Sequence, residues 1–196
     1  MRRVAEKFYR RFAALTQTIE VADRSGRRYA LCEGIEQCGQ LLLRQSTAGA
    51  KLFFLGNGAN AGISSHMAAD FSKNAGIPAL TFSDASLLTA LGNDCGFDSI
   101  FAKPLERFAT EGDVVVALSS SGTSPNVLKA AAVAVARRCK IVTLSGFKKD
   151  NPLRTLGDIN FYVPHGGYAL VEVLHHSICH CLLEAIMAEQ SGKTKG

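Results

Sequence analysis

The chain has 196 residues, 47% hydrophobic and 20% charged, with a formal charge of +5, so it holds enough apolar material for one sizeable core and reads as a single domain over 1–196. Its longest apolar runs, Val114 to Leu118 and Ile178 to Ile186, fall short of the roughly 18 to 20 residues of a membrane span. Two arginines at the N-terminus lack the apolar stretch of a secretory signal, so a soluble, cytoplasmic protein with no membrane partner is expected.

The positive charge suits an anionic partner, but the basic residues gather at the chain ends and at Lys148-Lys149 rather than along one stripe. With no Trp and no interleaving of aromatic and basic residues, a phosphometabolite is preferred to nucleic acid. The six cysteines (Cys32, Cys38, Cys95, Cys139, Cys179, Cys181) have no framework spacing and read as reduced thiols.

In chain order, apolar residues at helical spacing, such as Leu31, Ile35, Cys38 and Leu42, predict two N-terminal helices, Val4 to Val21 and Tyr29 to Gln45. They form a helical hairpin within 1–48 that packs on itself or on another subunit. From residue 51 the period changes. Five short apolar runs, at 51–55, 79–82, 114–118, 141–144 and 159–163, alternate with helical patterns. Strands apolar on both faces and separated by helices predict a doubly wound, flavodoxin-like α/β core over 51–188 with a five-stranded parallel sheet. A polar tail from Glu189 to Gly196 is expected to fray.

Ligands of such sheets bind beyond the carboxyl ends of the strands. Two unusual turns lie there: Gly56-Asn57-Gly58-Ala59-Asn60 after the first strand and Ser119-Ser120-Ser121-Gly122-Thr123-Ser124 after the third. The serine hydroxyls converge with the free N–H groups of the helix that follows, which makes an anion site, and Pro125 at the first helical position marks Ser124 as the N-cap. The glycines at 56, 58 and 62 are one residue off the dinucleotide fingerprint, in which Asp84 would bind ribose, and no Lys-Ser or Lys-Thr pair completes a Walker A loop.

Four-residue spacing sets His66 and Asp70 on one face of the helix after the glycine turn, and Glu172, His176 and His180 on one face of the last helix. If the faces meet, two carboxylates and three imidazoles surround the ligand, a set suited to proton transfer or to a metal. A structural zinc site on Cys179, His180 and Cys181 is set aside, because adjacent helical positions point in different directions.

The stretches Gly56-Asn57-Gly58, His66-Met67-Ala68-Ala69-Asp70, Gly92-Asn93-Asp94, Ser119 to Ser124 and Val163-Pro164-His165 resemble, in this order, the phosphoheptose isomerase branch of the sugar isomerase (SIS) proteins. The resemblance implies the SIS fold, a homotetramer using the N-terminal helices, and aldose–ketose isomerisation of sedoheptulose 7-phosphate or a related sugar phosphate. It places the substrate on Asn57, Gly58, Asn60, Asp94, Ser119, Ser120, Ser121 and Ser124. The family base matches Asp70, the acid or second base His180, and a sugar-contacting glutamine Glu172. Together with His66, these positions also match a zinc site found in some members, with His176 nearby.

The chain departs from the family in several places. Asp70 is one methylene shorter than the family glutamate, Ile63, Asn60 and Asn74 replace an aspartate, a serine and an arginine, and the segment from Ala169 to Leu174 is one residue short. SIS folds also serve as sugar-phosphate sensors and protein-binding adaptors, and His180 with Glu172 favours the enzyme over these.

Overall fold

The structure, a computed structural model, describes residues 1–193. In chain order its elements are α1 (Arg2–Thr16), β1 (Glu20–Asp23), β2 (Arg28–Tyr29), α2 (Leu31–Thr47), β3 (Leu52–Gly56), α3 (Ala59–Asn74), β4 (Ala79–Thr81), α4 (Ala85–Cys95), α5 (Ala102–Phe108), β5 (Val114–Ser119), α6 (Pro125–Ala136), β6 (Lys140–Ser145), β7 (Ile159–Tyr162) and α7 (Tyr168–Lys193). The five expected strands are parallel and lie in the order β7-β6-β5-β3-β4, the doubly wound arrangement. Alternate side chains of each strand feed two cores. Leu52, Phe54, Val114, Val116 and Leu118 face α2, α3 and α7, while Phe53, Leu55, Val115 and Ala117 face α5 and α6.

The N-terminal segment corrects the sequence reading. The first helix stops at Thr16, and Thr18 to Tyr29 form a hairpin instead, so the sheet has seven strands and is mixed: β1 pairs antiparallel with β7, and β2 with β1. Helical periodicity hid the switch because Ile19 and Val21, although β-branched and so suited to a strand, also fall where an apolar helix face would continue. The turn itself is built by Asp23, whose Oδ1 accepts from the Ser25 and Arg27 amides and the Ser25 hydroxyl, and whose Oδ2 accepts from the Tyr29 hydroxyl. α1 and α2 are therefore not a helical hairpin. α2 lies along α7, and α1 buries only Leu15.

α7 also differs from expectation. It remains helical through Lys193, covering part of the stretch expected to fray, and residues 194–196 of that stretch lie outside the described residues. An 18-residue stretch within Tyr168–Gly192 has a mean hydropathy of 1.3, apolar enough for a membrane span, but half of that stretch is buried inside this fold, where α7 is the central helix of one core. The cysteines are all free, with Cys38, Cys139 and Cys179 buried. Burial pushes the Cys179 thiol up to about 12, so it behaves as an apolar core side chain. Asp84 caps α4, its Oδ1 accepting from the Leu87 amide at 3.0 Å.

Asp113 ties the entries of β3 and β5 together. Its buried carboxylate accepts from the Lys51 and Thr110 amides, both at 2.8 Å, from the Thr110 hydroxyl at 3.0 Å, and pairs with the Lys51 ammonium at 3.0 Å. Burial alone would raise its pKa, but the two amides and the Lys51 ammonium together hold it below the usual carboxylate value. A lowered folded-state pKa gives stability that is full above the unfolded value near 3.9 and is lost as pH falls through the folded one. Asp113→Ala should lower the unfolding free energy by about 2–4 kcal/mol at pH 7, read from urea denaturation, and the difference from wild type should shrink below about pH 4. A midpoint unchanged at pH 7 would refute this.

Candidate active site

The two unusual turns sit where the strand order reverses. The chain leaves β3 toward β4 and leaves β5 in the other direction, so the carboxyl ends of these neighbours frame a crevice. A cavity of about 240 Å³ lies there, lined by Asn57, Gly58, Asn60, Ser119, Ser120, Ser121, Ser124, Tyr168 and Glu172. Gly58 opens α3 at φ 57° and ψ −124°, a conformation that L side chains rarely adopt.

Hydrogen bonds fix the serine turn. The Gly122 amide donates to the Ser119 carbonyl at 3.0 Å and lies 3.1 Å from its hydroxyl, and the Ser119 and Ser124 hydroxyls are 3.0 Å apart. Ser124 does occupy the N-cap position of α6, but its side chain accepts no helix amide and faces Ser119 instead, which corrects the capping expectation for its hydroxyl. Gly122 has φ 68°, and a Cβ there would stand 1.9 Å from Asn151 Oδ1. Asn151 braces the turn from beneath by donating to Ser145 Oγ and to the carbonyls of Gly146 and Lys148, while the Leu153 amide donates to the Gly122 carbonyl.

Two further bridges join the glycine turn to this side. Asn57 and Asn126 exchange reciprocal amide hydrogen bonds of 2.8 and 2.9 Å, and Asn60 Nδ2 donates to Ser120 Oγ at 3.0 Å. Ser120 Oγ in turn donates to Glu172 Oε1 at 3.4 Å. Asn60 Oδ1 lies 3.2 Å from Nδ1 of His175, a wholly buried ring whose pKa burial lowers to about 4 against the opposing pull of the Ser145 main chain.

α3 and α7 pack together along the same edge, and their facing residues gather one cluster. The rings of His66, His176 and His180 have centroids 4.6 to 5.4 Å apart, and one donor atom from each lies within 4.8 Å of the others. The buried His176 Nε2 makes no hydrogen bond within the protein. Burial, then the neighbouring His180 and His66, lower the His176 pKa, while Asp70 pulls the other way. Asp70 Oδ2 lies 3.3 Å from His66 Nε2. Neither Asp70 nor Glu172 belongs to the close group of three histidines; Asp70 reaches it through His66, and Glu172 lies one turn before His176 on α7.

Of the substrate-binding residues expected from sequence, all but Asp94 line the cavity. Asp94 is exposed near the end of α4, bonded to Asn93. Sequence reasoning missed His175, Asn126 and Asn151. The doublet His175-His176 was one available signal, since a second histidine off the periodic face had to point into the core. Asn126 and Asn151 carried none, because their partners are remote in sequence or are main-chain atoms.

A crevice at a doubly wound switch point, edged by a serine-rich turn at a helix start, defines an α/β domain with a site suited to an anion, and the family model described as SIS domain matches residues 8–146. The chain belongs to the SIS-domain family. It is 35% identical over 163 residues to a phosphoheptose isomerase of Escherichia fergusonii, covering 80% of this chain and 84% of that protein. It is 34% identical over 174 residues to a phosphoheptose isomerase of Helicobacter hepaticus, covering 85% and 88%. Among solved structures, the phosphoheptose isomerase of Neisseria gonorrhoeae superposes with a TM-score of 0.82 at 29% identity, covering 94% of this chain and 98% of that one. That of Francisella tularensis gives 0.81 at 25% identity.

Replacing Gly122 with Ala would drive a side chain into Asn151 and strain the turn at positive φ. The variant should fold with a lowered Tm and bind inorganic phosphate at least about tenfold more weakly than wild type, measured by phosphate-dependent thermal shift. Equal phosphate affinity in the two proteins would mean that the serine turn is not the anion site.

Proposed function

We propose that this protein is an aldose–ketose isomerase acting on sedoheptulose 7-phosphate or a closely related sugar phosphate. The observation that carries the reading is the single crevice in which the serine turn faces Glu172, with the histidine cluster one helical turn further along α7. The names of the bacterial relatives support the same activity, and they do not favour a sugar-phosphate sensor or an adaptor.

In this reading the phosphate rests against Ser119, Ser121 and Ser124 at the start of α6, where helix amides favour negative charge. The carbonyl end extends toward the seam of α3 and α7. Asp70 takes the proton from C1 of the ketose, the electrons collapse into a C1–C2 enediol, and return of the proton to C2 gives the aldose with no net change of oxidation state. His180 exchanges protons with O1 and O2, and Glu172 accepts a hydrogen bond from a sugar hydroxyl. The aspartate in place of the family glutamate shortens the reach of the base by one methylene, and the approach of α3 to α7 has to make up that distance.

A metal has a place in this reading as well. His66, His176 and His180 offer three nitrogen donors, one of them a buried atom with no other partner, and nitrogen donors suit zinc. Bound there, zinc would supply a Lewis acid for the substrate oxygens in place of proton exchange by His180, and Asp70 against His66 would orient that imidazole. Assembly as a homotetramer is supported by α1, which leaves Val4 and Tyr9 exposed and by itself covers little of the core. Six free thiols suit a cytoplasmic setting.

Incubation of wild type with sedoheptulose 7-phosphate in deuterated water should yield an aldoheptose phosphate carrying deuterium at C2, followed by NMR. Asp70→Ala should lower turnover by about 10²–10⁴-fold while phosphate binding is retained; undiminished turnover would remove Asp70 from the mechanism. For the metal, zinc titration by calorimetry should show one site per chain that His66→Ala and His176→Ala each weaken by at least about tenfold. Affinity unchanged in both variants would place zinc elsewhere.

A further inference from the structure

His175 takes no part in the reaction described above, yet it is a polar ring held wholly inside the core between the central helix and the cavity wall. A ring so placed needs partners to offset its lost hydration; beside the Ser145 main chain, its side-chain partner is Asn60 Oδ1 at 3.2 Å. Asn60 is itself 3% exposed, so its amide serves the protein rather than solvent. Its Nδ2 donates to Ser120 Oγ at 3.0 Å, and the single Ser120 proton is then directed to Glu172 Oε1 at 3.4 Å.

We infer that His175 is a positioning residue that, through Asn60 and Ser120, sets the Glu172 carboxylate at the cavity wall. The argument is one of donors and acceptors. A carbonyl oxygen only accepts, so the imidazole must carry its proton on Nδ1 to bond Asn60 Oδ1. That proton fixes the orientation of the Asn60 amide. If the proton moved to Nε2, the amide would turn over to donate to Nδ1 and present Oδ1 to Ser120. The Ser120 hydroxyl would then donate to Asn60, and Glu172 would lose its hydrogen bond. Nε2 makes no hydrogen bond in the structure, consistent with a bare lone pair there, since a buried N–H is the costlier group to leave unpaired. The relay also couples three elements, α7, α3 and the turn after β5, whose relative placement shapes the crevice.

This inference rests on the isomerase reading, in which Glu172 contacts the sugar, and it predicts an effect on turnover separate from phosphate binding. His175→Leu removes the donor. His175→Gln keeps a polar group of similar size but sets its amide near the Nε2 position, whereas His175→Asn sets one near Nδ1. With sedoheptulose 7-phosphate, Leu and Gln should lower kcat by about 10–100-fold with KM within about threefold, and Asn should restore kcat to within about threefold of wild type. Should the Leu variant fail to fold, the Gln and Asn pair carries the comparison.

In parallel, a long-range ¹H–¹⁵N spectrum of the five histidines, with His175 assigned by its loss in the Asn variant, should show Nδ1 protonated and Nε2 bare. Wild-type kcat in the Leu or Gln variant, a loss confined to KM, an Asn variant as impaired as Gln, or a protonated Nε2 would each overturn the relay. A wild type that leaves the sugar phosphate unchanged would instead remove the isomerase reading, and the tautomer spectrum would then decide the relay alone.

Discussion

The parallel pairing of β3 with β5 is the constraint on which the crevice depends. These strands are neighbours in space but not in sequence, and their register sets Gly56 opposite Leu118, so that Asn57 and Ser119 stand side by side where the two strands part. The helices that follow go to opposite faces, α3 into one core and α6 into the other. Between the diverging helices the main chain cannot close, and the polar turns are left facing each other. The Asn57–Asn126 exchange and the Asn60–Ser120 bond span 69 and 60 residues of sequence, and both require this register. Slipping β5 by one residue would turn Val114, Val116 and Leu118 toward the wrong core as well as separating the turns.

The five parallel strands and the layers on either side were legible because short, mostly apolar runs alternate with helical patterns, and the central runs at 52–55 and 114–118 are unbroken and end in Gly or Ser, as strands covered on both faces do. The hairpin of β1 and β2 was not. Its strands are four and two residues long, and the signal that forms it is the set of contacts made by the Asp23 side chain, which no periodicity registers. Val21 belongs to a strand because it pairs with Phe161 and fills the space left beside Gly34, where a Cβ would approach Val21 Cγ1 to 2.5 Å. Tertiary packing thus decided a segment in which helical spacing and β-branched residues pointed in different directions.

At the candidate site, spacing along two helices was enough to propose that His66, His176 and His180 meet, since a four-residue step returns to the same face. Spacing does not say which members of a face approach most closely. Asp70 and Glu172 share those faces, but the structure assigns Asp70 a histidine neighbour and Glu172 a serine, so the histidines alone draw together. The polar residues beneath the turns were illegible for a different reason. Asn126 and Asn151 act through partners that the fold brings from afar or through main-chain atoms, and a lone asparagine in sequence looks like any surface residue.

The edges of the sheet bear on how the molecule behaves at high concentration. One edge is the two-residue strand β2 and the other the three-residue strand β4, so neither offers a long row of unpaired main-chain groups to another chain. Without the hairpin, the edge would be β7, a four-residue strand buried throughout and rich in aromatic side chains, which is the kind of surface that recruits strands from neighbours. The N-terminal hairpin therefore covers that edge, and it can do so only once residues 20–23 have paired with residues 159–162, far along the chain.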